Sequence, residues 1–404
     1  MSATHDDEPA RRGGTGADRH STGADLHGGE NSPMEARTDQ ELVPTERLAA
    51  YLADLPPLRD ALPLRAVERI GHGQSNLTYR VVLAGDNVVL RRPPPGPLPP
   101  SAHDVLREYR VLSALAGSSV PVPRPLAACV DPAVLGAPFY LMEALEGDAI
   151  RFELPPALAD PRPPGRAILG ASRPNPLEWR RAIGEQLVDA LAALHTTDPA
   201  AVGLADLGRP SGYLARQLRR WQGQLDYARV RPVPDLDWVT AWLADHLPAE
   251  EGPACLVHGD YKLDNALFSF QPPPRLLGVV DWELATLGDP LADLGWLLAF
   301  WREAGDAPPE LKILPRVTEL SGFSTRAELA ERYAARAGRS LPDLGYYVVF
   351  ALWKMAVLLE GHWARHVRGT AGEFDFGYLE TAGPALWARL RRTASGEQEH
   401  TVSP

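Results

Sequence analysis

The stretch LVHGDYKLDNALF, residues 256–268, joins two apolar segments through a loop that is dense in charged and amide groups. A short apolar run leads into His-Gly-Asp at 258–260, and Lys262, Asp264 and Asn265 follow before apolar residues resume. A solvent-exposed loop can have this composition. The floor of a site that holds a metal ion and phosphate can have it too, and the segments around the loop decide between the two.

The segment LLGVVDWE (276–283) has the pattern of a buried strand that ends at Asp281. Phosphoryl transfer needs a carboxylate that orients the attacking hydroxyl and receives its proton, and a cation near the transferred group. It also needs Mg²⁺, which prefers hard oxygen ligands such as carboxylate and amide oxygens. Asp260, Asp281, Asn265 and Lys262 supply these groups, so the two segments together predict a phosphotransferase site.

Bulk composition narrows the class of protein. A chain of 404 residues can bury a large core and would usually form two lobes or domains. Its hydrophobic content of 45% is normal for a globular protein. The net charge of -11 and the pI near 5.5 argue against broad nucleic-acid binding, which relies on a basic surface. An acidic surface could suit a cationic substrate, although it mostly indicates solubility.

Cysteine usage and hydropathy predict a cytoplasmic protein. Cys129 and Cys255 lie far apart without metal-type neighbours, which favours two buried, reduced thiols. No stretch approaches the roughly 20 apolar residues of a membrane span, and the N-terminus has no hydrophobic signal core. We therefore expect neither a membrane nor a nucleic acid as a partner. Monomer and homodimer both remain open.

Composition divides the chain into four parts. Residues 1–40 nearly lack large apolar groups and are predicted to be a disordered tail. Residues 41–146 alternate strand and turn patterns around one prominent helix and predict a small β-rich lobe. Residues 147–393 are mostly helical, with a short strand pair at 255–281, and residues 394–404 are predicted to fray. The predicted fold class is α+β with two lobes.

The two segments resemble the catalytic loop and the metal-binding strand end of the protein-kinase-like superfamily. The resemblance is closest to the aminoglycoside phosphotransferase and choline kinase branch, in which His-Gly-Asp replaces His-Arg-Asp and Asp followed by an aromatic residue replaces Asp-Phe-Gly. It covers roughly residues 60–390 and implies a bilobal kinase-like fold, ATP and Mg²⁺ as cofactors, and a small-molecule hydroxyl acceptor. A protein kinase is disfavoured, since ELATLGDP (283–290) leaves little room for an activation loop.

The resemblance implies a role for each residue of the loop. Asp260 is expected to be the catalytic base or hydroxyl-orienting group, and Lys262 to contact the transferred phosphate. Asn265 and Asp281 are expected to be the Mg²⁺ ligands. His258 is expected to brace the loop by hydrogen bonding rather than to transfer a proton.

Four further acids near the loop could have structural rather than catalytic roles. Asp264 and Glu283 could support the metal site, or each could form a structural salt bridge or cap. Asp289 is placed to N-cap the helix that follows, and it and Asp293 are read as structural. In relatives of this type, acids at these positions also brace the catalytic loop.

The small lobe is expected to hold the nucleotide. GHGQSNLTYRV (71–81) resembles the loop that covers the phosphates, with Gly71 and Gly73 leaving backbone N–H groups near them. An ordinary β-turn explains the same residues equally well. The nucleotide-binding residues predicted in this loop are Gly73, Gln74, Ser75 and Asn76.

The strand VVLRRPPP (88–95), which follows the hairpin signal AGDN (84–87), ends in arginines where the family has a phosphate-binding lysine. Arginine keeps the charge and can bind phosphate with two N–H groups. Because side chains alternate along a strand, only one of the two arginines can face inward. Alignment to the motif favours Arg91 and leaves Arg92 solvated. Glu108 is expected to be the helix partner of Arg91, the alternative being a surface charge.

Two further segments are expected to bind substrate groups, one the adenine of the nucleotide and the other an anionic group of the acceptor. YLMEALEG (140–147) resembles the interlobe hinge, where backbone groups near Glu143 and Leu145 would bind the adenine edge. GYLARQLRRWQGQL (212–225) places three arginines at helical spacing, and they could receive a carboxylate or a coenzyme A phosphate. A solvated basic helix face is the alternative. The three arginines are Arg216, Arg219 and Arg220.

The acceptor is the least determined part of the prediction. HGDYKLDN together with DWELATLGDPLADL resembles the subfamily that is fused to, or encoded beside, acyl-CoA dehydrogenases. That resemblance implies a hydroxylated small molecule such as a hydroxyacyl-CoA, and a functional link to acyl-CoA metabolism. An aminoglycoside-inactivating kinase and a non-catalytic nucleotide-binding module are the alternatives. The choice between ATP and GTP also stays open.

Overall fold

The computed structural model of the protein describes eight stretches of the chain: residues 38–71, 76–96, 104–159, 175–249, 254–271, 273–306, 314–371 and 375–396. Most of the predicted N-terminal tail (1–40) and C-terminal tail (394–404) lies outside these residues. The described chain mixes a strand-rich N-terminal part with a helix-rich C-terminal part, which confirms the α+β class.

The N-terminal lobe is built on five strands: β1 (Leu64–Ile70), β2 (Leu77–Leu83), β3 (Val88–Arg92), β4 (Pro125–Cys129) and β5 (Phe139–Glu143). They form one antiparallel sheet in the order β1-β2-β3-β5-β4. The predicted hairpin is confirmed, since Val81 of β2 lies opposite Val88 of β3. Every residue of β3 is buried, so both faces of this central strand are covered.

Helices cover the two faces of the sheet. They are α1 (Asp39–Leu42), α2 (Thr45–Ala53), α3 (Pro56–Arg59), α4 (Val105–Leu115) and α5 (Pro132–Leu135). Leu48 and Leu52 of α2 pack with β2 and β3 in a separate small hydrophobic core. On α4, Asp104 caps the N-terminus by accepting hydrogen bonds from the N–H groups of Leu106 and Arg107. Its Val111 and Leu112 belong to the main core.

The C-terminal lobe consists mainly of seven helices among the described residues: α6 (Pro176–Thr196), α7 (Tyr213–Ala228), α8 (Pro234–Asp245), α9 (Pro290–Phe300), α10 (Arg326–Ala337), α11 (Leu344–Val367) and α12 (Leu379–Ala394). By length and composition α11 could cross a membrane, contrary to the expectation that no stretch comes close. However, 72% of its apolar window is buried inside the protein, as for a helix at the centre of a core.

Five short strands in this lobe place the candidate site: β6 (Asp148–Ala149), β7 (Cys255–Val257), β8 (Ala266–Ser269), β9 (Arg275–Val279) and β10 (Thr286–Gly288). β7 pairs with β10, and β8 pairs with β6 and β9, all antiparallel. Ala266 at the start of β8 lies opposite Val279 at the end of β9. The loop before β8 and the turn after β9 therefore lie at the same end of one sheet.

Helix α4 joins the small lobe to the large one. Arg107 donates hydrogen bonds to the carbonyls of Leu207 (2.6 Å) and Ala285 (2.8 Å) in the C-terminal lobe. The carboxylate of the neighbouring Glu108 accepts a hydrogen bond from the backbone N–H of Trp282 at 3.2 Å. These contacts fix α4 directly against the turn that follows β9.

Candidate active site

Asp260 lies in the loop after β7, and its carboxylate is held from three sides. Lys262 Nζ lies 3.0 and 2.8 Å from the two carboxylate oxygens. Trp296 Nε1 donates to Oδ1 at 2.8 Å, and Asn265 Nδ2 donates to Oδ2 at 2.9 Å. Burial alone would raise the pKa of Asp260. The charges of Lys262 and Lys354 outweigh burial and hold this pKa below its ordinary value.

The backbone of this loop is fixed from below by Asp293 on α9. Its carboxylate accepts hydrogen bonds from the N–H groups of His258 (2.6 Å) and Gly259 (2.8 Å). A side chain at position 259 would need a left-handed backbone, φ 86°, and its Cβ would lie 2.8 Å from Leu284. His195 Nε2 also contacts Asp293, at 3.3 Å. Asp293 thus has the bracing function that the sequence suggested.

His258 is completely buried and acts within the loop. Its Nε2 lies 3.0 Å from the Val280 carbonyl oxygen, and its Nδ1 lies 3.2 Å from the Asp260 N–H. In this arrangement Nε2 donates to the Val280 carbonyl oxygen and Nδ1 accepts from the Asp260 N–H. The ring therefore ties the loop to the end of β9, which agrees with the predicted bracing role.

Asn265 and Asp281 lie beside each other because of the β8–β9 register. The N–H of Val280, which precedes Asp281, donates to the carbonyl oxygen of Asn265 at 2.9 Å. The side-chain amide of Asn265 also donates to the Asp260 carbonyl oxygen at 2.8 Å. The structure therefore brings the predicted base and the two predicted metal ligands to one place.

Asp281 adopts a left-handed backbone, φ 71° and ψ 60°, which is uncommon for a residue with a side chain. Conformations of this kind cost about 1–3 kcal/mol and concentrate at functional sites. The Asp281 carboxylate accepts a hydrogen bond from Arg91 Nη2 at 3.0 Å. Its side chain keeps 33% exposure, so its second oxygen can still reach a ligand.

Arg91 is buried and bridges two acids. Its Nη1 lies 3.1 Å from Glu108 Oε1, while Nη2 contacts Asp281. Burial raises the pKa of Glu108 to about 7, although the Arg91 guanidinium opposes this rise. Glu108 is only 1% exposed, so the surface-charge alternative for it is wrong.

The expectation that Arg92 is solvated is also wrong. Arg92 is 3% exposed, because helices cover the outer face of β3 as well as the inner one. Its guanidinium donates to the carbonyls of Leu42 and Leu135, the last residues of α1 and α5. It therefore binds the carbonyl ends of two short helices, where a cation is favourable.

The predicted phosphate loop is described only in part. Gly73, Gln74 and Ser75 lie outside the described residues, and their roles stay predictions. Asn76 is buried and its Nδ2 lies 3.4 Å from Glu283 Oε2. That contact joins this loop to the turn after Asp281, so Glu283 bridges the lobes.

The predicted hinge lies directly after β5. The Glu143 N–H is already bonded to the Arg124 carbonyl oxygen at 3.0 Å, so this group is not available to adenine. A Cβ at Gly278 would lie 2.6 Å from the Leu145 side chain, which places Leu145 against β9 near the site. Adenine binding by the remaining backbone groups stays a prediction.

Two site residues were missed at the sequence level, Trp296 and Lys354. Lys354 Nζ donates to the Gly259 carbonyl oxygen at 2.7 Å and lies 4.2 Å from the Trp296 ring centre. Burial lowers the pKa of Lys354 to about 8, although Asp260 opposes this shift. Both residues carried a signal. Trp296 lies one turn after Asp293, and Lys354 is a cation in the middle of the apolar α11, far from the basic residues of its last turn.

Asp289 and Arg216, which the sequence also highlighted, have structural partners. Asp289 caps α9 by accepting from the Leu291 N–H at 2.9 Å and also accepts from the Tyr347 hydroxyl at 2.7 Å. Burial raises the pKa of Asp264. Arg216 donates to a backbone carbonyl in the loop before α7. These contacts favour the structural reading of Asp289 and Arg216.

The donor set fits a nucleotide with Mg²⁺. Among the described residues, no three His, Cys, Asp or Glu side chains form a metal-holding group. Mg²⁺ commonly takes only one or two protein carboxylates and completes its shell with water and phosphate oxygens. Asp281 and Asn265 match that pattern. Asn76 Oδ1 and Arg91 Nε are buried without a hydrogen-bond partner in the described chain. Such atoms carry a desolvation cost that a polar ligand would relieve.

Comparison with known proteins agrees with this geometry. The phosphotransferase enzyme family, APH, matches residues 66–347. Acyl-CoA dehydrogenase family member 10 of Mus musculus is 35% identical over 336 residues, which cover 81% of this chain and 29% of the relative. The chain spans less than half the length of the acyl-CoA dehydrogenase relatives it matches, between 29% and 43% for three of them.

Solved structures share the fold. A candidate aminoglycoside phosphotransferase from Ralstonia eutropha JMP134 superposes with a TM-score of 0.71 at 32% identity, covering 87% of this chain and 98% of that one. A thermostable mutant of aminoglycoside phosphotransferase APH(4)-Ia, in a ternary complex with AMP-PNP and hygromycin B, gives a TM-score of 0.52 at 14% identity. It covers 85% of this chain and 99% of that one, and at this identity it supports the fold alone.

Proposed function

The chain belongs to the APH phosphotransferase enzyme family, and from that premise we propose that it transfers the γ-phosphate of ATP, with Mg²⁺, to a hydroxyl of a small molecule. The observation that carries the proposal is the grouping of Asp260, Asn265 and Asp281 at one end of the β8–β9 sheet. The proposal places the reaction in the cytoplasm, where the two buried cysteines would stay reduced.

Asp260 orients the acceptor hydroxyl and receives its proton. Its pKa lies below the ordinary value, so it is a weak base. A weak base suits a loose transition state, in which the hydroxyl oxygen gains little charge before the phosphoryl group arrives. Lys262 is 2.8 Å from Asp260, and from there it can also contact the transferred group.

Asp281 and Asn265 would hold the metal ion, and Mg²⁺ bound there would neutralise negative charge on the phosphates. Arg91 keeps the Asp281 carboxylate in position and supplies a positive charge on the nucleotide side. A ternary complex of a neighbour with this fold contains AMP-PNP, so the fold can accommodate an ATP analogue, and we propose ATP as the donor on that basis.

For the acceptor we propose a hydroxyacyl-CoA-type metabolite. The names of the acyl-CoA dehydrogenase relatives support this class, although the matched region is a minor part of those proteins. An aminoglycoside is the second candidate, because the Ralstonia protein with the same fold is named for that reaction. A non-catalytic nucleotide-binding module is disfavoured, since such modules would not need both Asp260 and Asp281.

The test is an acceptor screen with the purified chain, ATP and Mg²⁺. Hydroxyacyl-CoA thioesters and aminoglycosides are offered in parallel, with ADP formation and product mass as readouts. Asp260→Ala and Asp281→Ala are expected to lose at least 1000-fold in kcat and to keep the wild-type fold by circular dichroism. Asp86→Ala, at an exposed hairpin position, is the matched control. Normal turnover in both site variants would refute the assignment.

A further inference from the structure

A cavity of about 550 Å³ is lined by residues of α7 and α11 and by Arg368, which directly follows α11. Three arginines belong to this lining: Arg220 of α7, Arg365 of α11 and the C-cap residue Arg368, whose Nη2 donates to the Tyr227 carbonyl oxygen at 2.9 Å. No aspartate or glutamate belongs to the described lining. The cavity is therefore positively charged within a chain whose net charge is -11.

Two glycines in helix interiors open this cavity. Gly223 of α7 and Gly361 of α11 both line it, and a Cβ at either position would meet nothing within 4 Å. Glycine inside a helix costs about 1 kcal/mol relative to alanine. Close helix packing does not require glycine at these positions. Their common effect is to widen the space in front of the arginines.

The lining of the cavity begins one helical turn along α11 from Lys354, which contacts the candidate catalytic loop. Lys354 contacts the Gly259 carbonyl oxygen at 2.7 Å and lies 5.4 Å from the ring centre of Trp221, the residue after Arg220. Val357, one turn further along α11, already lines the cavity. With a rise of about 1.5 Å per residue, Arg365 lies about 16 Å along the helix from Lys354. A ligand that reaches both the loop and the arginines must be elongated.

We propose that this cavity binds the phosphate-bearing end of an elongated acceptor whose hydroxyl lies at Asp260. The proposal rests on the proposed phosphotransferase function and narrows its acceptor. Guanidinium groups bind phosphate through two parallel N–H bonds, so an arginine-lined cavity without acids suits the phosphate end of a ligand. The same charges repel a polycation, which disfavours an aminoglycoside in this position.

Binding can be tested apart from catalysis, because a ligand without the reacting hydroxyl should still occupy the cavity. Coenzyme A, 4′-phosphopantetheine, which lacks the adenosine portion, and pantetheine, which lacks the adenosine and all phosphates, are titrated into the purified chain by calorimetry. We expect coenzyme A to bind at least tenfold more tightly than pantetheine. Dephospho-coenzyme A separates the contribution of the 3′-phosphate from that of the diphosphate.

Variants locate the site. Arg220→Gln and Gly361→Leu are each expected to weaken coenzyme A binding at least tenfold. Their matched controls are Arg219→Gln on the neighbouring position of α7 and Gly345→Leu in the first turn of α11, where a Cβ also meets nothing. Both controls are expected to stay within twofold of the wild type. Equal binding of coenzyme A and pantetheine, or unchanged binding in Arg220→Gln and Gly361→Leu, overturns the proposal.

The same variants separate this inference from the proposed function. If the wild type phosphorylates a hydroxyl acceptor and Gly361→Leu leaves the acceptor KM unchanged, the cavity assignment fails while the kinase function stands. If no acceptor is phosphorylated but coenzyme A binding depends on Arg220, the cavity binds phosphate and the proposed reaction fails.

Discussion

Trp296 donates its indole N–H to the Asp260 carboxylate at 2.8 Å, which joins a core helix to the catalytic loop. The residue is 5% exposed and lies on the same face of α9 as Asp293, one turn earlier. One helix therefore braces the loop backbone through Asp293 and orients the carboxylate of Asp260 through Trp296. The same helix therefore contributes both to the core and to the candidate active site.

Trp296→Phe should lower the rate of phosphate transfer without unfolding the protein. Phenylalanine keeps an aromatic ring beside Lys354 but removes the N–H that holds Asp260. A hydrogen bond to a charged group contributes about 1.5–3 kcal/mol, which corresponds to a roughly tenfold to hundredfold loss in kcat. Steady-state kinetics measure this loss, and the KM for ATP should change less than twofold.

The control for this variant is Trp301→Phe, which removes an indole bond to the Ser324 carbonyl away from the site. We expect it to lower Tm and to leave kcat unchanged. Equal kcat in Trp296→Phe and the wild type would show that Asp260 needs no orientation by this indole.

Asp293→Asn should destabilise the loop and the protein together. The Asp293 carboxylate accepts from the His258 and Gly259 N–H groups and contacts His195. The asparagine side chain has only one acceptor oxygen. Its N–H₂ group would therefore point at one of the N–H groups that the second carboxylate oxygen of Asp293 now accepts from. Removing one partner from a buried charged network costs about 3–5 kcal/mol, measurable by urea unfolding. In Asp289→Asn we expect a loss near 1 kcal/mol, because asparagine also caps helices. Equal losses in the two variants would contradict the bracing role.

The sequence predicted the fold class and a set of residues that the structure brings together, because both depend on local patterns. The loop at 256–268 carries its chemistry in consecutive residues, and the register of one hairpin then brings Asn265 beside Asp281. What it could not predict depends on how distant elements pack. Whether Arg92 is exposed is decided by α1 and α5, which cover the outer face of β3. Trp296 and Lys354 lie in apolar helices, where a core position and a site position have the same periodicity.

Glu108→Gln should change how stability depends on pH. The pKa of Glu108 is raised from 4.5 to about 7, so between these values the folded protein holds a proton that the unfolded chain releases. The contribution of Glu108 to the unfolding free energy of the wild type is therefore fully present below pH 4.5. It decreases as the pH rises through about 7, by up to about 3 kcal/mol in total. Glutamine does not titrate. The unfolding free energy of the variant relative to the wild type should rise between pH 5 and 7.5.

Urea unfolding across this pH range measures the difference for Glu108→Gln. Glu68→Gln, at an exposed position of β1, controls for the loss of one carboxylate. A constant difference between wild type and Glu108→Gln would mean that Glu108 stays ionised beside Arg91 throughout.

Lys354→Met should make the protein more stable and less active at pH 7. Burial lowers the pKa of Lys354 from 10.5 to about 8. Below pH 8 the folded protein carries this unfavourable charge, and between pH 8 and 10.5 it releases a proton that the unfolded chain keeps. Wild-type stability from this group therefore rises with pH across that window. The advantage of methionine, at most about 3 kcal/mol at pH 7, should shrink by pH 10.

The activity of Lys354→Met should fall roughly tenfold. The variant loses the hydrogen bond to the Gly259 carbonyl oxygen and the positive charge near Asp260. A hydrogen bond from a charged group contributes about 1.5–3 kcal/mol. Urea unfolding at pH 7, 9 and 10 and kinetics at pH 7 test both halves together. A stabilised, impaired variant would mean that the lysine is kept for function at a cost in stability, as at many active sites. A variant that is less stable than the wild type at pH 7 would show instead that the contacts of Lys354 with Gly259 and Trp296 outweigh the cost of burying its charge.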